Sequence, residues 1–329
     1  LIIHDNVKKE IFFVKNIFSD IKINNLEKKY FEIQDEINSL LISSRISKFQ
    51  KNTLGIKFSV KSNISKKRFF QIVNKAKQYI KKGDIFQVVL SQRFETKLTK
   101  KPIEIYKKLR VTNPSPFMFF FNFNDFQIIG ASPEILVRLR NNVITVRPIA
   151  GTRPRGRNNK EDNLLKKDLI NDKKELSEHL MLLDLGRNDA GKVSKINTVK
   201  VTERFKIEKY SHVMHIVSNV TGVYDKKFSK FEALMAGFPA GTVSGAPKIR
   251  AMEIIDELEK NSRKIYAGGI GYFSANGDFD TCIALRTAVT KNNKFYVQAG
   301  AGIVADSKPI NEYNETINKA KALIKSLEK

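Results

Sequence analysis

The sequence predicts an α+β protein built on antiparallel sheets. Helical and strand patterns alternate along it without the regular strand–helix–strand rhythm of a parallel sheet, and hairpins recur. Residues 61–329 hold no linker and no internal repeat, so they read as one domain. Residues 1–60 mix short apolar runs with Lys/Asn-rich stretches and carry no motif.

The elements follow in order. Ser65 suits the N-cap of a helix through residue 82, with Phe69, Ile72, Val73, Ala76, Tyr79 and Ile80 on its apolar face. Gly83 stops that helix, and a strand spans 85–98. Pro102 opens a helix to about 111, and Asn113-Pro-Ser-Pro makes a turn. Short strands follow at 117–122, 126–129, 135–140 and 143–147, with Asn141-Asn142 as a tight hairpin. The aromatic run 117–121 is too short for a membrane span and suits a buried strand. A basic Gly/Pro loop, 151–157, leads to helices near 161–170 and 173–185. Strands at 198–201 and 212–223, a short helix at 231–235 and a loop at 238–245 come next. Pro247 opens a helix to about 259. Strands at 266–273, 281–290 and 294–298 and a helix at 311–327 close the chain.

Composition narrows the function classes. Cys282 is the single cysteine, so there is no disulfide framework and no cysteine metal site. It lies in an apolar strand pattern, where a cysteine is a small inert hydrophobe. No apolar run is long enough to span a bilayer, and no signal-peptide pattern opens the chain. Leu1 rather than Met stands first, as at the start of a fragment. The 59 basic and 34 acidic residues leave a net charge of +25. That charge would suit a nucleic-acid-binding protein, the alternative from another class. The lysines, however, are dispersed among Asn, Ile and Phe, a mixture that A/T-rich codons also produce. No P-loop or dinucleotide fingerprint is present.

Two acidic pairs carry the chemistry. Glu175 and Glu178 lie on one predicted helix, Glu312 and Glu315 on another. Residues three apart share a helix face, so each helix can aim two carboxylates at one point. Carboxylate oxygens suit a hard divalent cation such as magnesium, which leaves part of its shell to water and an anionic substrate. Four further features surround them. Gly151-Thr152, followed by Arg153 and Arg155, offers amides, a hydroxyl and cations for an anion. The loop 240–248 leads into a helix N-terminus. Arg286 stands in an otherwise apolar strand pattern, where a buried charge needs a partner or a ligand. Gly300-Ala301-Gly302 permits close backbone approach. His215, among valines, is able to exchange a proton near neutral pH.

These residues resemble the chorismate-utilising enzymes, most of all their anthranilate synthase component I branch. The likeness covers residues 60–329 through blocks that include GDIFQVVLSQRF (83–94), NPSPFMFF (113–120), RPIAGTRPRG (147–156), ELSEHLMLLDLGRND (175–189), FPAGTVSGAPK (238–248) and VQAGAGIVADS (297–307). It implies two packed antiparallel β-sheets ringed by helices, with the active site in a cleft. It implies Mg2+ on Glu178 and Glu315, with Glu175 and Glu312 in support. It implies that Gly151, Thr152, Tyr266, Arg286, Gly300, Ala301, Gly302 and Lys319 bind chorismate. Glu134 corresponds to the acid, His215 to an active-site histidine and Thr242 to a substrate-orienting residue. The implied reaction is amination of chorismate at ring carbon 2, loss of the 4-hydroxyl and elimination of pyruvate to give anthranilate. Isochorismate synthases resemble the chain too, with lysine in place of Gln87, and aminodeoxychorismate synthases tend to have lysine in place of Ala150. Of a feedback-inhibitor site, only Pro116 and Met118 remain recognisable, so residues 1–60 read as a remnant of a regulatory region. No glutaminase half is present, which implies a separate glutamine amidotransferase subunit, a heterotetramer, and a place in the cytoplasm or a plastid stroma.

Overall fold

In the computed structural model, residues 1–16, 26–43, 59–210 and 213–327 are described, and the chain forms two units, Leu1–Leu54 and Gly55–Lys329. In the first, β1 (Ile2–Asp5) and β2 (Glu10–Phe13) make an antiparallel hairpin. Asp5 accepts the Val7 and Lys8 amides at 2.9 Å, which closes its turn. A helix, α1 (Leu26–Ser43), completes this unit, and Lys15 pairs with its Glu36.

The second unit opens with β3 (Lys61–Ser62) and α2 (Lys66–Lys81). Ser65 caps α2 by accepting the Arg68 amide at 3.2 Å. Next come β4 (Gln87–Lys97), α3 (Pro102–Thr112), β5 (Phe117–Asn122), β6 (Phe126–Ser132), β7 (Ile135–Arg140) and β8 (Val143–Val146). Asn141 and Asn142 both take positive φ, 51° and 60°, as a tight hairpin between twisted strands requires. After them run β9 (Ile149–Pro154), α4 (Asn159–Asn171), α5 (Lys173–Gly191), β10 (Lys200–Lys209), β11 (Val213–Val223), α6 (Lys230–Ala236), β12 (Gly245–Ala246) and α7 (Lys248–Leu258). The chain ends with β13 (Gly269–Phe273), β14 (Phe279–Ile283), β15 (Thr287–Lys291), β16 (Lys294–Ile303) and α8 (Pro309–Lys325).

The fourteen strands of this unit form two seven-stranded antiparallel sheets. One runs β10-β11-β8-β7-β14-β13 with β9 also on β11, and the other runs β12-β4-β16-β15-β6-β5 with β3 also on β4. Helices cover their outer faces. Phe69, Ile72 and Val73 of α2 and Ile254 of α7 pack on Val88, Leu90, Ala301 and Ile303. Ile105 and Leu109 of α3 and Leu323 of α8 pack on Ile129, Ala288, Phe295 and Val297. Leu183 and Ala190 of α5 and Ala233 of α6 pack on Leu139, Ile144, Val220 and Phe279. The strand alternation then turns the intervening residues, such as Gln87 and Val89, toward the space between the sheets.

Several sequence expectations need correction. Half of the expected 151–157 loop is strand β9, which pairs with β11 despite its Gly/Pro/Arg composition. The expected strand 281–290 is two strands in different sheets, because the chain crosses over at 284–286 and Arg286 takes φ 47°. Arg286 therefore stands at a strand break rather than within a strand. The run 117–121 is a half-buried edge strand rather than a buried one, with β6 as its only partner among the described residues. The expected 266–273 strand begins only at Gly269, because Ala267 takes φ 66°. Strands β10 and β16 and helix α5 run longer than their patterns suggested. His212 lies outside the described residues.

Phe295 is 1% exposed within the core. Phe295→Ala should cost about 3–5 kcal/mol, read as a lower denaturation midpoint in urea with an unchanged slope.

Candidate active site

A cavity of about 910 Å³ lies between the sheets. Gln87 and Val89 of β4 and Gly300 and Gly302 of β16 line one side, and Gly151 of β9 and His215 of β11 another. Helices α5 and α8 bring Glu175, Glu178, Glu312 and Glu315 to the same space. The two helix-borne pairs thus meet at one cavity although 134 positions, 178 to 312, separate them in sequence.

Each carboxylate has a local counter-charge or donor. Arg153 Nη1 lies 3.4 Å from Glu175, Lys174 Nζ 4.0 Å from Glu178, and Lys319 Nζ 2.6 Å from Glu315. Burial, then the charges of Glu175, Glu312 and Glu315, raise the Glu178 pKa. Burial raises that of Glu312 as well, against a hydrogen bond from Ser307. The cluster is an all-oxygen donor set with mutual repulsion, which fits a hard divalent cation. Among the described residues no three acidic or histidine side chains already converge at ligating distance. Magnesium, which commonly keeps waters and substrate oxygens in its shell, tolerates so few protein ligands.

Glu134 sits where the chain passes from β6 in one sheet to β7 in the other. It is 6% exposed. Burial pushes its pKa up to about 8, against smaller opposing effects of Thr242, the Ile149 backbone and the Lys319 charge. Its carboxyl is therefore protonated at neutral pH, as a general acid must be. The neighbouring Thr242 hydroxyl is buried and makes no hydrogen bond of ordinary geometry.

His215 has a defined tautomer. Its Nδ1 lies 3.0 Å from the Gly151 carbonyl and 3.0 Å from Thr152 Oγ1. A carbonyl only accepts, so Nδ1 carries the proton and Nε2 keeps its lone pair. Burial, with the charges of Arg286 and Lys319, lowers the ring's pKa, so it is a neutral base. Tyr210 stands edge-on to it at 5.5 Å and donates to Glu208 at 3.0 Å.

Among the cations, Arg286 is distinctive. It is deeply placed, burial lowers its pKa, and it forms no ion pair among the described residues. Arg153 and Arg155, by contrast, are spent on protein carboxylates. Arg153 binds Asp168, Asp172 and Glu175, and Arg155 binds Asp162 and the Tyr210 carbonyl. They brace the Gly151-Thr152 strand and do not offer themselves to a ligand. Tyr266 Oη would lie 2.8 Å from a Cβ at Gly300, so only glycine fits there. A Cβ at Gly302 would strike Gln87, whose Oε1 is buried without a partner.

The family model for chorismate binding enzymes matches residues 4–325. The chain belongs to the chorismate binding enzyme family. Anthranilate synthase component 1 of Cereibacter sphaeroides is 61% identical over 269 residues, 82% of this chain and 54% of that protein. Anthranilate synthase component 1 of Acetivibrio thermocellus is 49% identical over 336 residues, 100% of this chain and 67% of that protein. The chain thus spans about half to two thirds of these relatives. The crystal structure of anthranilate synthase component I from Streptococcus pneumoniae superposes with a TM-score of 0.87 at 44% identity, covering 98% of this chain and 71% of that one.

This chorismate binding enzyme gathers most residues that the resemblance singled out. Glu134, Gly151, Thr152, His215, Thr242, Tyr266, Arg286, Gly300, Gly302 and Lys319 all line the cavity with the four glutamates. Ala301 does not, because strand alternation turns its side chain into the core beneath α2 and α7. Pro116 and Met118, which the resemblance assigns to a feedback site and not to this one, are not part of its lining; Asn113, Pro114 and Ser115 are, and Met118 packs beneath α3. Sequence reasoning overlooked Lys174, Tyr210, Gln298 and Ser307, which also line the cavity. Lys174 had a signal in its place beside Glu175, and Gln298 and Ser307 in their place within the 297–307 block. Cys282 is buried with its thiol pushed up to about 12, so it is inert as expected. No helix among the described residues is long and apolar enough to cross a membrane.

The raised pKa of Glu134 has a stability consequence. Between its unfolded value near 4.5 and about 8, the folded state holds the extra proton, so stability falls as pH rises through that window. Glu134→Gln should match wild type near pH 4.5 and be more stable near pH 8.5, by on the order of a few kcal/mol at most, with a correspondingly higher melting temperature. Equal melting temperatures at pH 8.5 would contradict the buried, protonated carboxyl.

Proposed function

We propose that the chain is the ammonia-using, magnesium-dependent large subunit of an anthranilate synthase. On this reading residues 61–329 are the catalytic domain, and residues 1–60 remain from a regulatory region. The observation that carries it is one cavity holding a protonated Glu134, a neutral His215 with a free Nε2, an unpaired Arg286 and four facing glutamates. That set suits an anionic substrate that must lose a hydroxyl and then a proton.

The residues divide the work. Arg286 and Lys319 supply positive charge to the carboxylates of chorismate. The Gly300 and Gly302 backbone and Tyr266 leave room for the ring, and Thr152 and Thr242 orient it. Ammonia adds at ring carbon 2. Glu134 gives its proton to the departing 4-hydroxyl, which leaves as water rather than as hydroxide. His215 Nε2 then takes the ring proton as the enolpyruvyl C–O bond breaks, the departing enolpyruvate takes up a proton to become pyruvate, and the ring becomes aromatic. Glu178 and Glu315, with Glu175 and Glu312 beside them, would hold magnesium, whose chemistry is Lewis-acid anchoring of the ring carboxylate. A separate glutamine amidotransferase subunit would supply ammonia, in a heterotetramer working in the cytoplasm or a plastid stroma. Gln87 and Ala150, neither of them a lysine, favour anthranilate over isochorismate or aminodeoxychorismate as the product.

Incubating the chain with chorismate, ammonium and magnesium should yield anthranilate fluorescence. Chromatography that instead shows isochorismate or aminodeoxychorismate as the end product would reassign the reaction. Glu178→Gln and Glu315→Gln should each abolish the magnesium-dependent rate, and undiminished activity in both would remove the metal assignment. Glu134→Gln should lower kcat by roughly a hundredfold or more, read in the same fluorescence assay.

A further inference from the structure

Lys174 stands at the junction of two cavities. Besides the main one, a second of about 330 Å³ opens beside Phe86, and Lys174 and Glu178 line both. Asp306 lines only the second. Lys174 Nζ lies 4.0 Å from Glu178 Oε1, at the outer limit of an ion pair, and its side chain is half exposed. Its charge also reaches Glu312. Asp306 forms no ion pair among the described residues. It sits on a fixed turn, where the Val304 amide donates to Ser307 Oγ at 3.0 Å and Lys77 Nζ donates to the Ser307 carbonyl at 2.7 Å.

Resting on the magnesium reading above, we infer that Lys174 is a displaceable counter-ion that competes with the cation for Glu178 and crosses to Asp306 when the cation binds. Two positive groups repel when they share one carboxylate, and the flexible four-carbon stem of lysine lets its ammonium relocate. The neighbouring cavity offers it a carboxylate outside the cation cluster. The relocated pair would join the first turn of α5 to the turn preceding α8. Those are the two helices that carry the four glutamates, so Lys174 acts as a positioning residue for them.

The test is calorimetric titration of the full chain with magnesium chloride, without substrate. Lys174→Met should bind magnesium roughly five- to tenfold more tightly, the effect of removing one unit charge near 4 Å in water. Lys174→Arg, which keeps the charge, should bind like wild type. Asp306→Asn should bind more weakly than wild type, and adding it to Lys174→Met should change nothing further. Equal or weaker binding by Lys174→Met overturns the competition. Equal weakening by Asp306→Asn with and without Lys174 overturns the crossing. If Lys174→Met does not fold, Lys174→Gln, which also removes the charge, carries the same prediction. Wild-type protein that binds no magnesium overturns the metal assignment itself, an outcome distinct from the others.

Discussion

Two chain crossings, each hydrogen-bonded to a strand that flanks the other, hold the sheets and the site in one arrangement. At Pro133-Glu134 the chain leaves β6 for β7, and at 284–286 it leaves β14 for β15, in the opposite sense. The Ile283 amide donates to the Glu134 carbonyl at 3.0 Å, and the Ala131 amide donates to the Arg286 carbonyl at 3.1 Å. Each crossing thus has a carbonyl satisfied by the amide of a strand that flanks the other crossing, as buried peptide groups require. Glu134 and Arg286 are the residues at these crossings. Their side chains reach the cavity because the backbone there belongs to no regular ladder. The positive φ of Arg286 and of Ala267, whose amide bonds to Ala284 at 3.2 Å, marks strain at the same place.

Charge is distributed by the same logic. A basic chain has many candidate cations, and the structure neutralises most of those near the cavity. Arg147 is held by Glu203 and Glu208, Arg155 by Asp162, and Arg263 by Glu259. Desolvating an arginine is costly unless a partner or ligand compensates. Among the described residues Arg286, unlike these, forms no ion pair, and so keeps its attraction for an anionic ligand. The four glutamates show the converse. Each is tempered by nearby cations or a hydroxyl, enough to hold it in place and too little to cancel its charge.

Much of this was readable beforehand. The helix caps, the Asn141-Asn142 hairpin and most strands follow local chemistry, because apolar periodicity and turn residues act within a few positions. The misreadings share a cause. The run from 281 to 290 is rich in β-branched and apolar residues and has no glycine or proline, so nothing local marks the change of sheet. Strand β9 is rich in Gly, Pro and Arg and becomes a strand only through its pairing with β11. Ala301 lies in a glycine-flanked motif, but strand alternation assigns its side chain to the core.

The sequence by itself determined the elements, the sharing of one helix face by each glutamate pair, and membership of the chorismate binding enzyme family. These depend on spacing along the chain. Only the tertiary structure decided that the two pairs meet, that Arg286 is free while Arg153 and Arg155 are not, and that Glu134 is buried enough to keep its proton. Those properties depend on desolvation and on distances between groups far apart in sequence, which no local pattern encodes.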